Sequence, residues 1–229
     1  MIKVVVFDAY GTLFDVYSIG VLANQFYPGQ GANIAALWRD KQIEYTRLIA
    51  MSDPNGPGGS RYYMSFWEIT TAALRYTLDR LALERSDATE SALMGQYAKL
   101  DPFPESLGVL QRLKTQGVST AILSNGSVAM LASAVQNAGM RNALDKVLSV
   151  ESVRTFKTAP ASYGLVGAAF GVAPHQVLFV SGNAWDALGA TWFGFRTLWL
   201  NRQNLPFEAI GPKPSFVGKD LHEVFEALT

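Results

Sequence analysis

From residue 105 to residue 200, helical patterns and short apolar runs take turns along the chain. The helical patterns are Glu105–Thr115, Val128–Ala138, Pro160–Phe170 and Trp185–Phe193. The runs are Val118–Leu123, Lys146–Val150, Val177–Val180 and Arg196–Leu200, and a fifth, Val4–Phe7, stands near the start. Runs this short, separated by helices, read as strands of βαβ units in a mostly parallel sheet. Gly117, Gly139, Gly171 and Gly194 each fall between a helix and the next strand, where a left-handed residue ends a helix. The first interval breaks the rhythm. About a hundred residues separate Phe7 from Val118, too many for one crossover. The interval reads as helix only: Val16–Tyr27, Ala32–Ala50, Phe66–Leu83 and Thr89–Leu100. The expectation is an α/β chain: a Rossmann-like parallel sheet core from residues 1–15 and 101–229, and an all-helical cap inserted as residues 16–100. Within the cap, Pro54, Gly56, Pro57, Gly58 and Gly59 mark Ser52–Ser60 as a mobile loop. Its GPGGS follows no strand, so it is no phosphate-binding fingerprint.

In an open parallel sheet, ligands bind beyond the carboxyl ends of the strands. The first strand delivers Asp8, Ala9, Tyr10, Gly11 and Thr12 there. The second delivers Ser124, Asn125 and Gly126, the connection after the third carries Lys157, and the fourth is followed by Ser181, Gly182, Asn183 and Asp186. Each has an ordinary local reading. Asp8 could cap a turn, Ser124 and Asn183 could cap helices, and Lys157 could be a solvated charge. Their convergence from four distant segments argues for a site. A buried carboxylate can serve as a nucleophile if a fixed ammonium keeps it ionised. Asp8 and Lys157 fit those parts. Thr12 can hydrogen-bond the carboxylate, and Ser124, Asn125 and the amides opening the next helix can bind an anion.

Composition removes several rivals. Without cysteine there is no disulfide, thiol nucleophile or thiolate metal ligand, and a reducing cytoplasm is the default compartment. His175 and His222, the only histidines, stand in polar surroundings away from any Ser or Asp constellation, and no G-x-S-x-G elbow exists. The first strand is followed by DAYGT and not by a dinucleotide fingerprint. Zero formal charge argues against nucleic acid or an anionic membrane as the main partner. No apolar stretch is long enough to span a bilayer, and MIKVVVFD does not read as a signal peptide.

The pattern D-x-x-G-T-L, then S-N-G, then a lone lysine, then a helix start bearing aspartate resembles the haloacid dehalogenase superfamily over nearly the whole chain. Most members are phosphohydrolases with a second aspartate two residues after the nucleophile and an acidic pair that holds Mg²⁺. Here Tyr10 takes the place of that aspartate, and Gly182 that of the first acid of the pair. Phosphoryl transfer needs a cation on the oxygens and a proton for the leaving alkoxide. Halide leaves carbon with neither. FDAYGTLFDV, WRDKQIEYT, LSNGS and FVSGNAWDALGA are similar to the L-2-haloacid dehalogenases of the superfamily.

The resemblance implies hydrolysis of (S)-2-haloalkanoic acids to (R)-2-hydroxyalkanoic acids through an ester on Asp8, with no metal or cofactor. It implies Ser124, Asn125 and the backbone of Ala9 and Tyr10 as the carboxylate site, and Arg39 of the cap facing the halide. Lys157 and Tyr163 would sit beside Asp8, with Ser181, Asn183 and Asp186 positioning Lys157 and the hydrolytic water. Phe66 and Trp185 would wall the pocket or belong to the core. A homodimer follows by analogy. Three features depart from the usual pattern: Gly182 replaces a serine, Thr158 follows Lys157 where proline is common, and the Ser52–Arg61 loop is longer. Gly182 would loosen the water-positioning turn. The rival readings are a Mg²⁺-dependent phosphatase of the same superfamily and a non-enzymatic phospho-acceptor or binding domain.

Overall fold

In the computed structural model, which describes residues 1–229, the first strand is the middle of the sheet. β1 (Val4–Phe7) is three valines and a phenylalanine, all buried. β-Branched side chains suit a pleated strand covered on both faces. β1 pairs in parallel with β2 (Ser119–Ser124) on one side and with β4 (Val177–Ser181) on the other. β3 (Lys146–Ser149) extends the sheet beyond β2, and β5 (Arg196–Leu200) and then β6 (Phe216–Gly218) extend it beyond β4. The order β3-β2-β1-β4-β5-β6 means the chain winds outward from β1, returns, and winds outward the other way. Its direction reverses between β1 and β4, and a crevice opens beyond their carboxyl ends.

No strand interrupts the segment between β1 and β2. It forms α1 (Ile19–Phe26), α2 (Gly31–Ser52), α3 (Phe66–Arg80) and α4 (Asp87–Tyr97). The chain enters and leaves this segment along paired backbones. Asp15 N–H donates to Asp101 O at 2.9 Å, and Phe103 N–H donates to Leu13 O at 2.9 Å. α5 (Ser106–Thr115), α6 (Val128–Asn137), α7 (Pro160–Phe170) and α8 (Ala184–Phe193) join the later strands, and α9 (Val224–Ala227) ends the chain. One apolar cluster runs unbroken from Val5 and Phe179 in the sheet to Trp38, Phe66 and Leu74 in the inserted helices. Tyr10 stands at the junction, its ring centroid 5.7 Å from Phe66, 5.8 Å from Tyr97 and 6.3 Å from Phe14. No helix is long and apolar enough to cross a membrane.

Three expectations shift. The sheet has a sixth strand, β6, which three residues after Pro212 and Pro214 are too few to announce by alternation. The first inserted helix begins at Ile19 and not at Val16. Asp15 takes up the preceding turn, accepting from Tyr17 N–H at 2.9 Å through its side chain and from the Ser18 hydroxyl at 2.7 Å through its carbonyl. The Pro/Gly loop is docked at its far end. Buried Ser60 donates its N–H to Arg154 O at 2.9 Å, and at Gly59 (φ +101) a Cβ would lie 2.4 Å from Val153 O.

Candidate active site

The crevice at the reversal point holds Asp8, 6% exposed, one residue past the end of β1. Both of its oxygens are engaged. Lys157 Nζ lies 3.0 Å from Oδ1, while Thr12 Oγ1 donates to Oδ2 at 3.0 Å and Asn183 Nδ2 donates to it at 2.8 Å. The positions come from different parts of the fold. Gly11, at φ +90, turns the chain so that Thr12 folds back over Asp8. Lys157 reaches in from the connection between β3 and α7, its backbone N–H held by Asn125 Oδ1 at 2.9 Å. Asn183 occupies the residue before α8 but makes no capping bond with its side chain. That amide is turned instead to Asp8 and to Tyr10 O at 3.0 Å, so the helix-cap reading of Asn183 gives way to a site role. Ser124 likewise caps no helix. Ser127 caps α6, accepting from Met130 N–H.

Lys157 is fully buried and bridges two carboxylates, Asp8 and, at 2.9 Å, Asp186 Oδ2. It is not a solvated charge. Burial by itself pushes the ammonium toward losing its proton, but the charges and hydrogen bonds of Asp186 and Asp8 outweigh burial, and its pKa moves up. Asp186, at the first turn of α8, is pushed up to about 6, first by burial, against the pull of Lys157 and with a further push from Asp8. The Tyr163 hydroxyl donates to Asp186 Oδ1 at 2.8 Å, and burial with that neighbouring charge raises the phenol well above its ordinary value. Ser181 Oγ donates to Asp186 Oδ2 at 3.2 Å and accepts from Asn183 N–H at 3.1 Å. Phe179 lies under Lys157, its ring centroid 4.9 Å from Nζ. The result is a dry cluster of one cation and two anions in which every charged atom has a partner.

Arg39 enters from α2, 8% exposed. Its Nη2 donates to Tyr10 O at 3.0 Å and to Asn183 Oδ1 at 3.3 Å, and Nη1 donates to Gln42 Oε1 at 2.7 Å. All three acceptors are neutral, and Arg39 takes part in none of the protein's ion pairs. A buried guanidinium without a counter-ion favours an anion brought in from outside. Opposite it lie free donors. The N–H groups of Ala9 and Tyr10 make no bond within the protein, and the Ser124 hydroxyl accepts from Gly126 N–H at 3.0 Å with its own proton uncommitted.

Asp8, Tyr10, Arg39, Ile43, Phe66, Ser124, Asn125 and Trp185 enclose a cavity of about 10 Å³, the room of one water. Phe66 and Trp185 therefore wall the cavity, and Phe66 belongs to the core as well. A larger outer cleft of about 480 Å³ shares Arg39, Ile43 and Trp185 with it. These three side chains form the partition between cavity and cleft. Sequence reading missed Ile43 and Gln42. Their signal was present but weak: both lie one turn beyond Arg39, and Gln42 is one of three polar residues, with Arg39 and Thr46, on a buried face shared with Ile34, Ala35, Trp38 and Ile43.

A divalent metal, as phosphohydrolases of this fold use, does not fit the donor set. No three carboxylates or histidines converge anywhere in the protein, and the oxygens of Asp8 are taken by Lys157, Thr12 and Asn183. Gly182 is held between the two loops that meet here. A Cβ there would lie 2.2 Å from Gly11 O, and the Gly182 N–H donates to Thr12 Oγ1 at 2.9 Å. The absent side chain lets the loops after β1 and β4 meet, which corrects the expectation of a loosened turn.

The model of the haloacid dehalogenase-like hydrolases matches residues 2–194. The (S)-2-haloacid dehalogenase of Pseudomonas sp. (strain YL) is 41% identical over 98% of this chain and 94% of its own length. A solved L-2-haloacid dehalogenase is 48% identical and superposes with a TM-score of 0.95 over 99% of this chain and 98% of that one. Another, from Xanthobacter autotrophicus with chloropropionic acid covalently bound, is 37% identical with a TM-score of 0.89, covering 100% of this chain and 98% of that one. A match of that breadth, on a chain whose strand ends carry this cluster, makes the protein a member of the haloacid dehalogenase-like hydrolase family.

Proposed function

We propose that the protein hydrolyses short (S)-2-haloalkanoic acids to (R)-2-hydroxyalkanoic acids, with Asp8 as the nucleophile. The observation that carries this reading is the pairing of Asp8 with Lys157, outside any group of three acids or histidines that could hold a metal, across a small cavity from a guanidinium that has no counter-ion. Relatives named (S)-2-haloacid dehalogenases and a relative with chloropropionic acid covalently bound support it.

In this reading the N–H groups of Ala9 and Tyr10, the Ser124 hydroxyl and Asn125 hold the substrate carboxylate. An Asp8 oxygen attacks the α-carbon from the side opposite the halogen. The C–O bond forms as the carbon–halogen bond breaks, configuration inverts, and halide leaves as an anion toward Arg39 and Asn183. Lys157 keeps Asp8 ionised for the attack. Water then adds to the carbonyl carbon of the Asp8 ester and gives a proton to Asp186. The bond from that carbon to the substrate oxygen breaks, and the 2-hydroxy acid takes a proton as it departs. Asp186 suits the base role because it shares Lys157 with Asp8 and its raised pKa keeps it ionised at neutral pH yet able to accept a proton. Thr12, Ser181 and Tyr163 hold Asp8 and Asp186 in place. Alignment of the reactants contributes about 7–11 kcal/mol of barrier lowering in such sites. In the same reading residues 16–100 act as a cap that opens for exchange, the chain works in the cytoplasm, and it forms a homodimer.

The test is chloride release from (S)-2-chloropropionate in the presence of EDTA, beside the (R) enantiomer. Single turnover in H₂¹⁸O adds the mechanism: the heavy oxygen enters Asp8 first, and product carries ¹⁶O from the original carboxylate. Label appearing directly in product, or no halide release across a haloacid panel, overturns the reading. Hydrolysis of a phosphate monoester that depends on added Mg²⁺ would favour the phosphatase instead.

A further inference from the structure

We infer that Gln42 is a positioning residue for halide departure: it fixes the Arg39 guanidinium while leaving its positive charge unneutralised. The inference rests on the proposed role of Arg39 at the leaving group. Gln42 lies on α2, one turn after Arg39, and is completely buried. Its Oε1 accepts from Arg39 Nη1 at 2.7 Å and from the Tyr97 hydroxyl at 3.1 Å. Its Nε2 donates to Thr70 Oγ1 at 2.6 Å, and the Thr70 hydroxyl donates onward to Phe66 O at 2.6 Å.

The chain of bonds leaves one orientation for the amide. Thr70 has committed its proton to Phe66, so it can only accept, and the NH₂ of Gln42 must face it. The carbonyl must then face the guanidinium. A flipped amide would set N–H against N–H on one side and oxygen against a lone pair on the other. One side chain thus links α2, α3 and α4 behind the cavity and joins the cation to Phe66 on the opposite wall.

The choice of residue type matters electrostatically. Glutamate would make the same contact with Arg39 and would do so more strongly. It would also place a negative charge against the cation that the departing halide needs. In a dry site this charge would compete directly with the leaving group. A buried arginine held only by neutral oxygens keeps its full field for an incoming anion.

The test is single-turnover rapid quench with (S)-2-chloropropionate and (S)-2-bromopropionate, resolving halide release from formation of hydroxy acid. Gln42→Glu, Gln42→Met, Thr70→Val and Arg39→Gln are compared with the parent, each checked for folding by circular dichroism. Gln42→Glu is expected to slow halide release on the order of 100-fold, the scale of losing one preorganised contact to developing charge. Gln42→Met and Thr70→Val slow it less, chloride suffers more than bromide, and ester hydrolysis keeps the parent rate. If Gln42→Glu fails to fold, Thr70→Val carries the test, because it removes the anchor of the amide without adding a charge, at the cost of one bond to Phe66 O. Parent-like halide release in the folded Gln42 and Thr70 variants, with Arg39→Gln slow, overturns this inference alone. Equal slowing of both steps also overturns it, as a general packing defect. Parent-like release in Arg39→Gln overturns the proposed role of Arg39 itself.

Discussion

In the proposed mechanism Lys157 holds both the chemistry and the stability of the site. It is the only cation between two buried carboxylates. Lys157→Met should abolish turnover and cost about 3–5 kcal/mol in urea unfolding at pH 7, because two buried charges lose their counter-ion. A loss under 1 kcal/mol would mean that the carboxylates are better solvated than their burial indicates. The same cluster sets the pH response. In the proposed mechanism Asp186 is ionised to accept the proton from water, so the rate of ester hydrolysis should fall on the acid side with an apparent pKa of about 6, belonging to the coupled cluster. Lys157 is raised above 10.5 in the folded protein. Its contribution to stability is therefore complete below 10.5 and is lost as the pH climbs through its folded pKa. Asp186 has the opposite consequence for stability: its raised pKa favours folding below 3.8, and that advantage disappears as the pH rises through about 6. Unfolding free energies measured from pH 4 to 11 would show both slopes. Gly182→Ala tests the close approach of the two loops. It should cost about 1–3 kcal/mol, as overpacking does, and lower activity by moving Thr12 off Asp8.

At the scale of elements, several parts of the site are fixed by how a helix or strand starts or stops, Asp8 past β1, Asn183 before α8 and Phe66 at the start of α3 among them. α3 begins with a capping box: Ser65 accepts from Glu68 N–H at 3.2 Å, and the Glu68 carboxylate accepts from Ser65 N–H at 2.7 Å. Phe66 is the first residue of that helix, so the cap also sets the angle of a cavity wall. Ser65→Ala should cost about 1 kcal/mol, read as a lower melting temperature, with KM rising and the chemical step little changed. Most of these elements were legible in the sequence. β1 and β5 coincide with their apolar runs, and α7 starts at Pro160 and ends before Gly171 at φ +65 as its residues require. The ends of α1 and α4 moved, because Asp15 and Ser86 bond locally to the backbone and decide where those helices begin. Apolar periodicity does not report such bonds. β6 stayed hidden because three residues at a sheet edge, one of them exposed and one a glycine, carry no pattern.

At the scale of the molecule, the candidate cavity is closed. Its space of about 10 Å³ admits no haloacid, so in the proposed reading the inserted helices part from the sheet for substrate to enter. The proposed hinge is the pair of backbones at 13–15 and 101–103, where Asp15 N–H donates to Asp101 O and Phe103 N–H donates to Leu13 O. Hydrogen exchange on an Asp8→Asn variant, which binds without forming the ester, should show slower exchange at these two amides when (S)-2-chloropropionate is added. Unchanged exchange would place the opening elsewhere, at the partition of Arg39, Ile43 and Trp185.

The order of residues along this chain was enough to determine the strand–helix alternation, the insertion after β1, and the gathering of Asp8, Ser124, Lys157 and Asp186 at strand ends. Those follow from local periodicity and from the geometry of parallel sheets, which put every strand's last residue on one edge. Only the tertiary structure decided that Asn183 turns away from its helix, that Lys157 bridges two carboxylates, that Gly182 is required by a carbonyl from another loop, and that Gln42 stands behind Arg39. Each of these is a contact between atoms far apart in sequence or turned by a choice of rotamer. Packing selects among such contacts, and no pattern along the chain records the choice.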